Sequence, residues 1–134
     1  MKIKFLFSVI VCCIICGLAV GQDKPKVDPI TGTWKGSSLC QVKDSPCHDE
    51  VAVYHALKLT GTTYQFEMNK MVNGKEEEMG KLVFTYNDTL KTLTAVNKSS
   101  RGVGAWSFKV KGNTMHGTLT VDNTVYRIID LKKD

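Results

Sequence analysis

The 134-residue chain is 43% hydrophobic and 23% charged, a globular balance that excludes a disordered polymer and leaves room for one small domain. Its formal charge of +5 arises from 18 basic and 13 acidic side chains, and only Arg101 and Arg127 are arginines. With no dense Lys/Arg stripe, nucleic acid is not an expected partner.

Residues 1–21 read as an export signal. Lys2 and Lys4 form a charged start, Phe5 to Val20 is a weakly polar run of 16 residues, and Ala19 and Gly21 are the small residues a signal peptidase inspects. The run is shorter than the roughly 20 residues that span a bilayer. No small residue precedes Cys13 or Cys16, as a lipidated cysteine would require. The expected mature protein therefore starts at Gln22, has no stable membrane anchor, and is secreted or periplasmic. Cys40 and Cys47 are the cysteines left in its body. In an oxidising compartment they are expected to form one local disulfide that pins the loop from Gln41 to Pro46. A redox pair would need closer spacing in a helical setting.

After a polar tether over residues 22–30, the chain settles into short runs of period two. Thr31–Cys40 is the first expected strand. Val51–Leu59 is the second, and its alternation groups Val51, Val53, His55, Leu57 and Leu59 on one face, taken as the inner one. The third groups Tyr64, Phe66 and Met68, and ends at Asn73-Gly74, the strongest hairpin signal in the chain. Met79–Tyr86 groups Leu82, Phe84 and Tyr86, with Glu76, Glu77 and Glu78 before it as a solvated turn or strand end. Leu90–Asn97 follows. Gly104–Lys111 then groups Trp106, Phe108 and Val110. Met115–Val121 and Val125–Leu131 complete the set, with His116 expected to be exposed. Eight such runs joined by hairpin-length links predict an all-β fold, an eight-stranded antiparallel up-and-down meander. Closing it into a barrel would leave no free edge and provide a lumen for packing or one small ligand. Residues 31–134 are thus one expected barrel domain.

Gly32-Thr33-Trp34 at the start of the first strand resembles the G-x-W motif of lipocalins and their calycin relatives. That resemblance implies a closed barrel in which Trp34 seals one end and an Arg of the last strand, here Arg127, packs across its ring. Guanidinium over indole is a physically sound pair. The chain is short for a lipocalin and lacks that family's C-terminal helix. Its GTWxG motif followed by Cys…Cys-His-Asp-Glu is also similar to small exported bacterial proteins, a likeness that carries no chemistry with it.

The chemistry is sparse. His48 and Glu50 could share a face as they enter the second strand and are the candidate metal pair, but consecutive residues do not converge as metal ligands usually do, and a polar loop is the expectation. No nucleophile–base signature or phosphate-cradling loop occurs, so neither an enzyme nor a cofactor is expected. The inferred inner faces carry His55, Tyr64, Phe66, Met68, Phe84, Tyr86, Trp106 and Phe108. Aromatic walls with a few polar tips suit a small apolar ligand, with His55 as the polar anchor. The alternative is a protein-interaction or protease-inhibitor module with a packed interior that meets its partner through the disulfide loop, residues 41–50. The two part on lumen volume, a cavity of about 300 Å³ or more favouring the ligand.

Overall fold

The computed structural model describes residues 21–134. The expected export signal lies outside them but for Gly21. Eight strands follow in chain order: β1 (Gly32–Cys40), β2 (Glu50–Lys58), β3 (Thr63–Val72), β4 (Lys75–Asn87), β5 (Thr92–Ser99), β6 (Gly102–Lys111), β7 (Thr114–Val121) and β8 (Thr124–Lys133). Each pairs antiparallel with the next, and β8 returns to pair with β1, giving a closed up-and-down barrel. The hairpins form where the sequence allows positive φ. Asn73 and Gly74 lie at φ 51° and 77°, and Asp122 and Asn123 at 47° and 66°, the left-handed pairs that two-residue hairpins require.

The stripes expected from β3, β4 and β6 do face inward. Phe66, Phe84 and Phe108 are fully buried. Their rings stack in sequence across the lumen, with centroids 4.7 Å apart for Phe66–Phe84 and 5.9 Å for Phe84–Phe108. Leu93, Met115, Ile129 and Leu131 complete this core.

One end of the barrel is plugged by the segment leading into β1, with Lys133 of β8 donating to the Asp28 and Pro29 carbonyls. Ile30, the last residue of the expected tether, is fully buried, and its carbonyl accepts the Trp34 indole N–H at 2.8 Å. Asp28 organises the plug. Its Oδ1 accepts the backbone N–H of Ile30 and Thr31, and its Oδ2 accepts the Tyr64 hydroxyl at 2.9 Å and faces Lys58 Nζ at 3.0 Å. Burial opposes ionisation, but the bonds from Thr31, Lys58, Ile30 and Tyr64 together hold the carboxyl far below the usual range. A depressed carboxyl contributes stability above its unfolded pKa, near 4, and loses that contribution as pH falls. Asp28→Asn is therefore expected to cost about 2 kcal/mol at pH 7. Denaturant titrations at several pH values should find the two proteins converging below about pH 4.

Three expectations are corrected. The inner face of β2 is Ala52, Tyr54 and Ala56, all buried, whereas Val51 and Leu57 are exposed and the His55 side chain is 40% exposed on the outer wall. Both alternating sets of β2 are apolar, so hydrophobicity alone does not choose between them. What chooses is register: Tyr54 lies opposite Trp34 and Met68, both inward, and a strand offset by one residue exchanges its faces. Second, the cation over Trp34 is not Arg127 but Lys133, whose Nζ lies 5.4 Å from the ring. Lys133 is the register partner of Trp34 on β8, while Arg127 pairs with Cys40 at the opposite end of β1. Barrel closure stands, with the role assigned to a different residue. Third, closure does not remove every free edge, because the wall is not sealed throughout; Glu76–Glu78 are the solvated start of β4, in line with the expected strand end. The β4–β5 ladder consists of Thr85–Thr94, Tyr86–Leu93 and Asn87–Thr92, and the two strands part beyond Thr85 and Thr94.

Candidate functional site

Above the phenylalanine core the lumen opens into a chamber of about 600 Å³. Tyr54, Met68, Trp106 and Ile129 line it at the level of the core, while Leu82 and Leu119 line its sides. A recess of about 230 Å³ continues past Trp106 between Gly104, Leu119, Val121 and Tyr126. Space exists here because the inward positions of these strands are small or polar. On β1 the inward residue is Ser38, and on β6 it is Gly104, whose Cβ position is 3.1 Å from the Trp106 ring.

Charged groups form the rim. Arg127 on β8 reaches across the end of β1, and its Nη1 donates to the Ser38 carbonyl, the Ser38 hydroxyl and the His48 carbonyl, each at 3.2 Å. The same nitrogen lies 3.5 Å from Glu50 Oε2, and Lys70 Nζ lies 3.8 Å from Glu50 Oε1. The Arg127 and Glu50 side chains are only 14% and 8% exposed, so the pair is largely withdrawn from solvent. Tyr54 reaches the same chamber. Burial drives its phenol pKa well above the ordinary value, with Arg127 opposing the shift and Glu50 adding to it, so the hydroxyl stays protonated and able to donate.

The disulfide loop overhangs this rim. Cys40 and Cys47 are bonded, with their Cα atoms 5.9 Å apart, a separation ordinary for a disulfide. Asp49 Oδ1 accepts the Cys40 N–H at 2.8 Å, tying the base of the loop to the end of β1. Pro46, Cys47 and His48 thereby come to line the chamber. His48 Nε2 is 3.9 Å from Glu50 Oε1, but that carboxylate is engaged by Arg127 and Lys70. Among the described residues no group of three or more His, Cys, Asp or Glu is arranged to hold a metal ion.

Of the eight residues expected to contact a ligand, Met68 and Trp106 line the chamber. Phe66, Phe84 and Phe108 form the packed layer beneath it. Tyr64 and Tyr86 meet edge to face, with centroids 6.3 Å apart, and Tyr64 is committed to Asp28 in the plug. His55 leaves the set entirely. On the outer wall its Nδ1 meets Thr33 Oγ1 at 3.0 Å and its Nε2 meets Glu76 Oε2 at 2.7 Å. That bond, with one from Asn69, holds the Glu76 carboxyl below its ordinary range. A separate groove of about 440 Å³ runs along this wall past Thr33, His55 and Leu57. His116 is exposed and paired with Asp130.

The chamber residues that the sequence does not mark as ligand contacts are Tyr54, Ser38 and Lys70, together with Glu50 and Arg127, which it offers only as a metal partner and as the cation over Trp34. Strand parity carried a signal for two of them. Lys70 continues the inward alternation of Tyr64, Phe66 and Met68, and Glu50 shares the parity of Ala52 and Tyr54.

These features define a closed, eight-stranded up-and-down barrel with one packed and one open half. No protein-family model and no curated protein matches the sequence. Among solved structures, a point mutant of the fluorescent protein UnaG superposes with a TM-score of 0.52 at 12% sequence identity. The match covers 78% of this chain and 95% of that one, and it establishes a shared fold.

Proposed function

We propose that this protein is an exported binding barrel that holds a small, mainly apolar molecule in the chamber beneath the disulfide loop. The observation that carries this reading is the chamber itself. Its volume of about 600 Å³ falls inside the range of small-molecule sites and exceeds the lower bound of about 300 Å³. The interaction-module alternative called for a filled interior, and the open half of the lumen counts against it.

The lining suggests the ligand's character. Met68, Leu82, Trp106, Leu119 and Ile129 offer an apolar wall, and a mainly apolar body gains about 25 cal/mol for each Å² it removes from water. At the rim, the Arg127 contacts run through Nη1, while a guanidinium has five N–H donors in a flat fork. Its other nitrogens and the protonated Tyr54 hydroxyl suit an acceptor head, a carboxylate or sulfonate, on that body. Binding rather than catalysis is the reading because the polar groups at the rim pair with one another, Arg127 and Lys70 both with Glu50, and none is a nucleophile set beside a base. An exported protein with a disulfide across its rim suits an oxidising compartment.

The test is a fluorescence titration with 8-anilinonaphthalene-1-sulfonate, an apolar aromatic anion. Energy transfer from the indoles to the bound probe is expected in the wild-type protein, and Trp106→Phe should remove most of it while Trp34→Phe, at the plugged end, removes much less. Probe emission that does not change on mixing, or transfer lost only with Trp34, would sink the chamber as a binding site.

A further inference from the structure

Two boundaries of the chamber, the end under the disulfide loop and the wall between β4 and β5, differ in how firmly they are closed. The end under the disulfide loop is latched four times. The Cys40–Cys47 bond closes the loop, the Cys40 N–H is held by Asp49, the Gln41 N–H donates to the Tyr126 carbonyl at 2.9 Å, and Arg127 holds the His48 carbonyl. Opening that end would break several hydrogen bonds at once and strand Arg127 and Glu50.

The wall between β4 and β5 is different. Its ladder ends at Thr85–Thr94, so no interstrand bonds join the rest of β4 to Ala95 and the residues beyond it. The cavity reaches both lips of this split, touching Met79, Gly80 and Leu82 on β4 and Asn97 on β5. The unpaired stretch of β4 also carries an irregularity on its other edge. The β3–β4 register shifts between Met68 and Asn69, so Met79 is the extra residue of a bulge, and bulges bend the strand that carries them. Outside the split, Val83 and Val96 are 49% and 63% exposed, and Met79 is exposed as well. An apolar molecule sliding between the strands would thus meet apolar side chains on its way from solvent to the chamber.

We infer that the β4–β5 split is the portal through which the ligand enters and leaves, with the disulfide end serving as a fixed cover. The inference rests on the chamber being a ligand site, and it predicts something that site alone does not: a route. Local opening follows the elements with the fewest interstrand bonds, and here that element is the half-zipped wall.

Closing the split from outside tests the route. Val83 and Val96 would face each other if the Thr85–Thr94 register continued, and neither lines the chamber. Val83→Cys and Val96→Cys are introduced together in the full oxidised protein and bridged with a bis-maleimide. Stopped-flow mixing with 8-anilinonaphthalene-1-sulfonate then compares bridged protein with each single-cysteine variant carrying the same reagent on one thiol. Bridging should slow association and dissociation together by tenfold or more, or block binding, while any equilibrium affinity that remains stays within about twofold. Unchanged rates in fully bridged protein would overturn the portal and direct passage to the disulfide end. Absence of probe binding before bridging is a different result; it would remove the ligand site, and the portal with it.

Discussion

Replacing Phe84 with alanine should produce the largest stability loss of any single truncation in the barrel, about 3–5 kcal/mol. Phe84 is fully buried and sits between Phe66 and Phe108, touching both rings of the layer that separates the plug from the chamber. The substitution removes the ring's own burial and also leaves a void that its neighbours, anchored on different strands, cannot collapse to fill. Urea denaturation followed by Trp fluorescence gives the loss directly. The comparison is Leu82→Ala, two residues along the same face but at the partly open chamber wall, where about half that cost is expected. Equal losses at the two positions would mean that the lumen is packed alike at both levels.

Arg127→Leu should have the second largest effect and acts by a different mechanism. It keeps the apolar stem but removes the charge that faces Glu50, a carboxylate only 8% exposed. Breaking one side of a buried pair typically costs 3–5 kcal/mol because the remaining charge is stranded. Lys70, 3.8 Å from the other carboxylate oxygen, offsets part of this, so about 2–3 kcal/mol is expected. The Ser38 and His48 carbonyls also lose their donor, which should loosen the disulfide loop and speed amide exchange there. The double variant Arg127→Leu/Glu50→Gln should recover part of the stability loss, since residues in one network do not add. A double variant less stable than the sum of the singles would show that Arg127 acts through packing rather than through Glu50. Loss of 8-anilinonaphthalene-1-sulfonate affinity should persist in the double variant, because the anion's partner is still absent.

How much of this could be read from the chain depends on the strand. Where one alternating set is aromatic and the other polar, as with Tyr64, Phe66 and Met68 against Gln65, Glu67 and Asn69, burial chose the expected face. β2 gave no such contrast. Val51, Val53, Leu57 and Leu59 outweigh Ala52, Tyr54 and Ala56 in apolar bulk, yet the smaller set is inside because Tyr54 needs room opposite Trp34 and two alanines provide it. Bulk argued for the wrong face, and His55 went with it. The plug shows a similar limit. Asp28 and Ile30 look like the end of a polar tether, and only the contact with Trp34 and Tyr64 makes them part of the barrel.

The site was less legible than the fold, for a physical reason. Aromatic side chains mark where a lumen is full, and these residues form the layer below the chamber. A cavity is marked instead by small and polar residues at inward positions, and Ser38, Glu50, Lys70, Gly104 and Arg127 resemble surface residues when taken one at a time. The G-x-W resemblance implies Arg127 as the partner of Trp34, yet its distance along β8 puts it at the other end of the barrel. The split between β4 and β5 is similarly hidden, because the turn Asn87-Asp88 predicts a hairpin but not where its ladder stops.

Heteronuclear NMR of the labelled protein titrated with 8-anilinonaphthalene-1-sulfonate tests the central claim, that the open half of the lumen is a ligand site, most directly. The largest shift changes should fall on the side chains of Tyr54, Met68, Trp106, Leu119 and Ile129, with smaller ones at Phe66 and Phe84 beneath them and none at Thr33, His55 or Leu57 on the outer wall. Changes concentrated on that outer groove, with the chamber residues unmoved, would contradict the account.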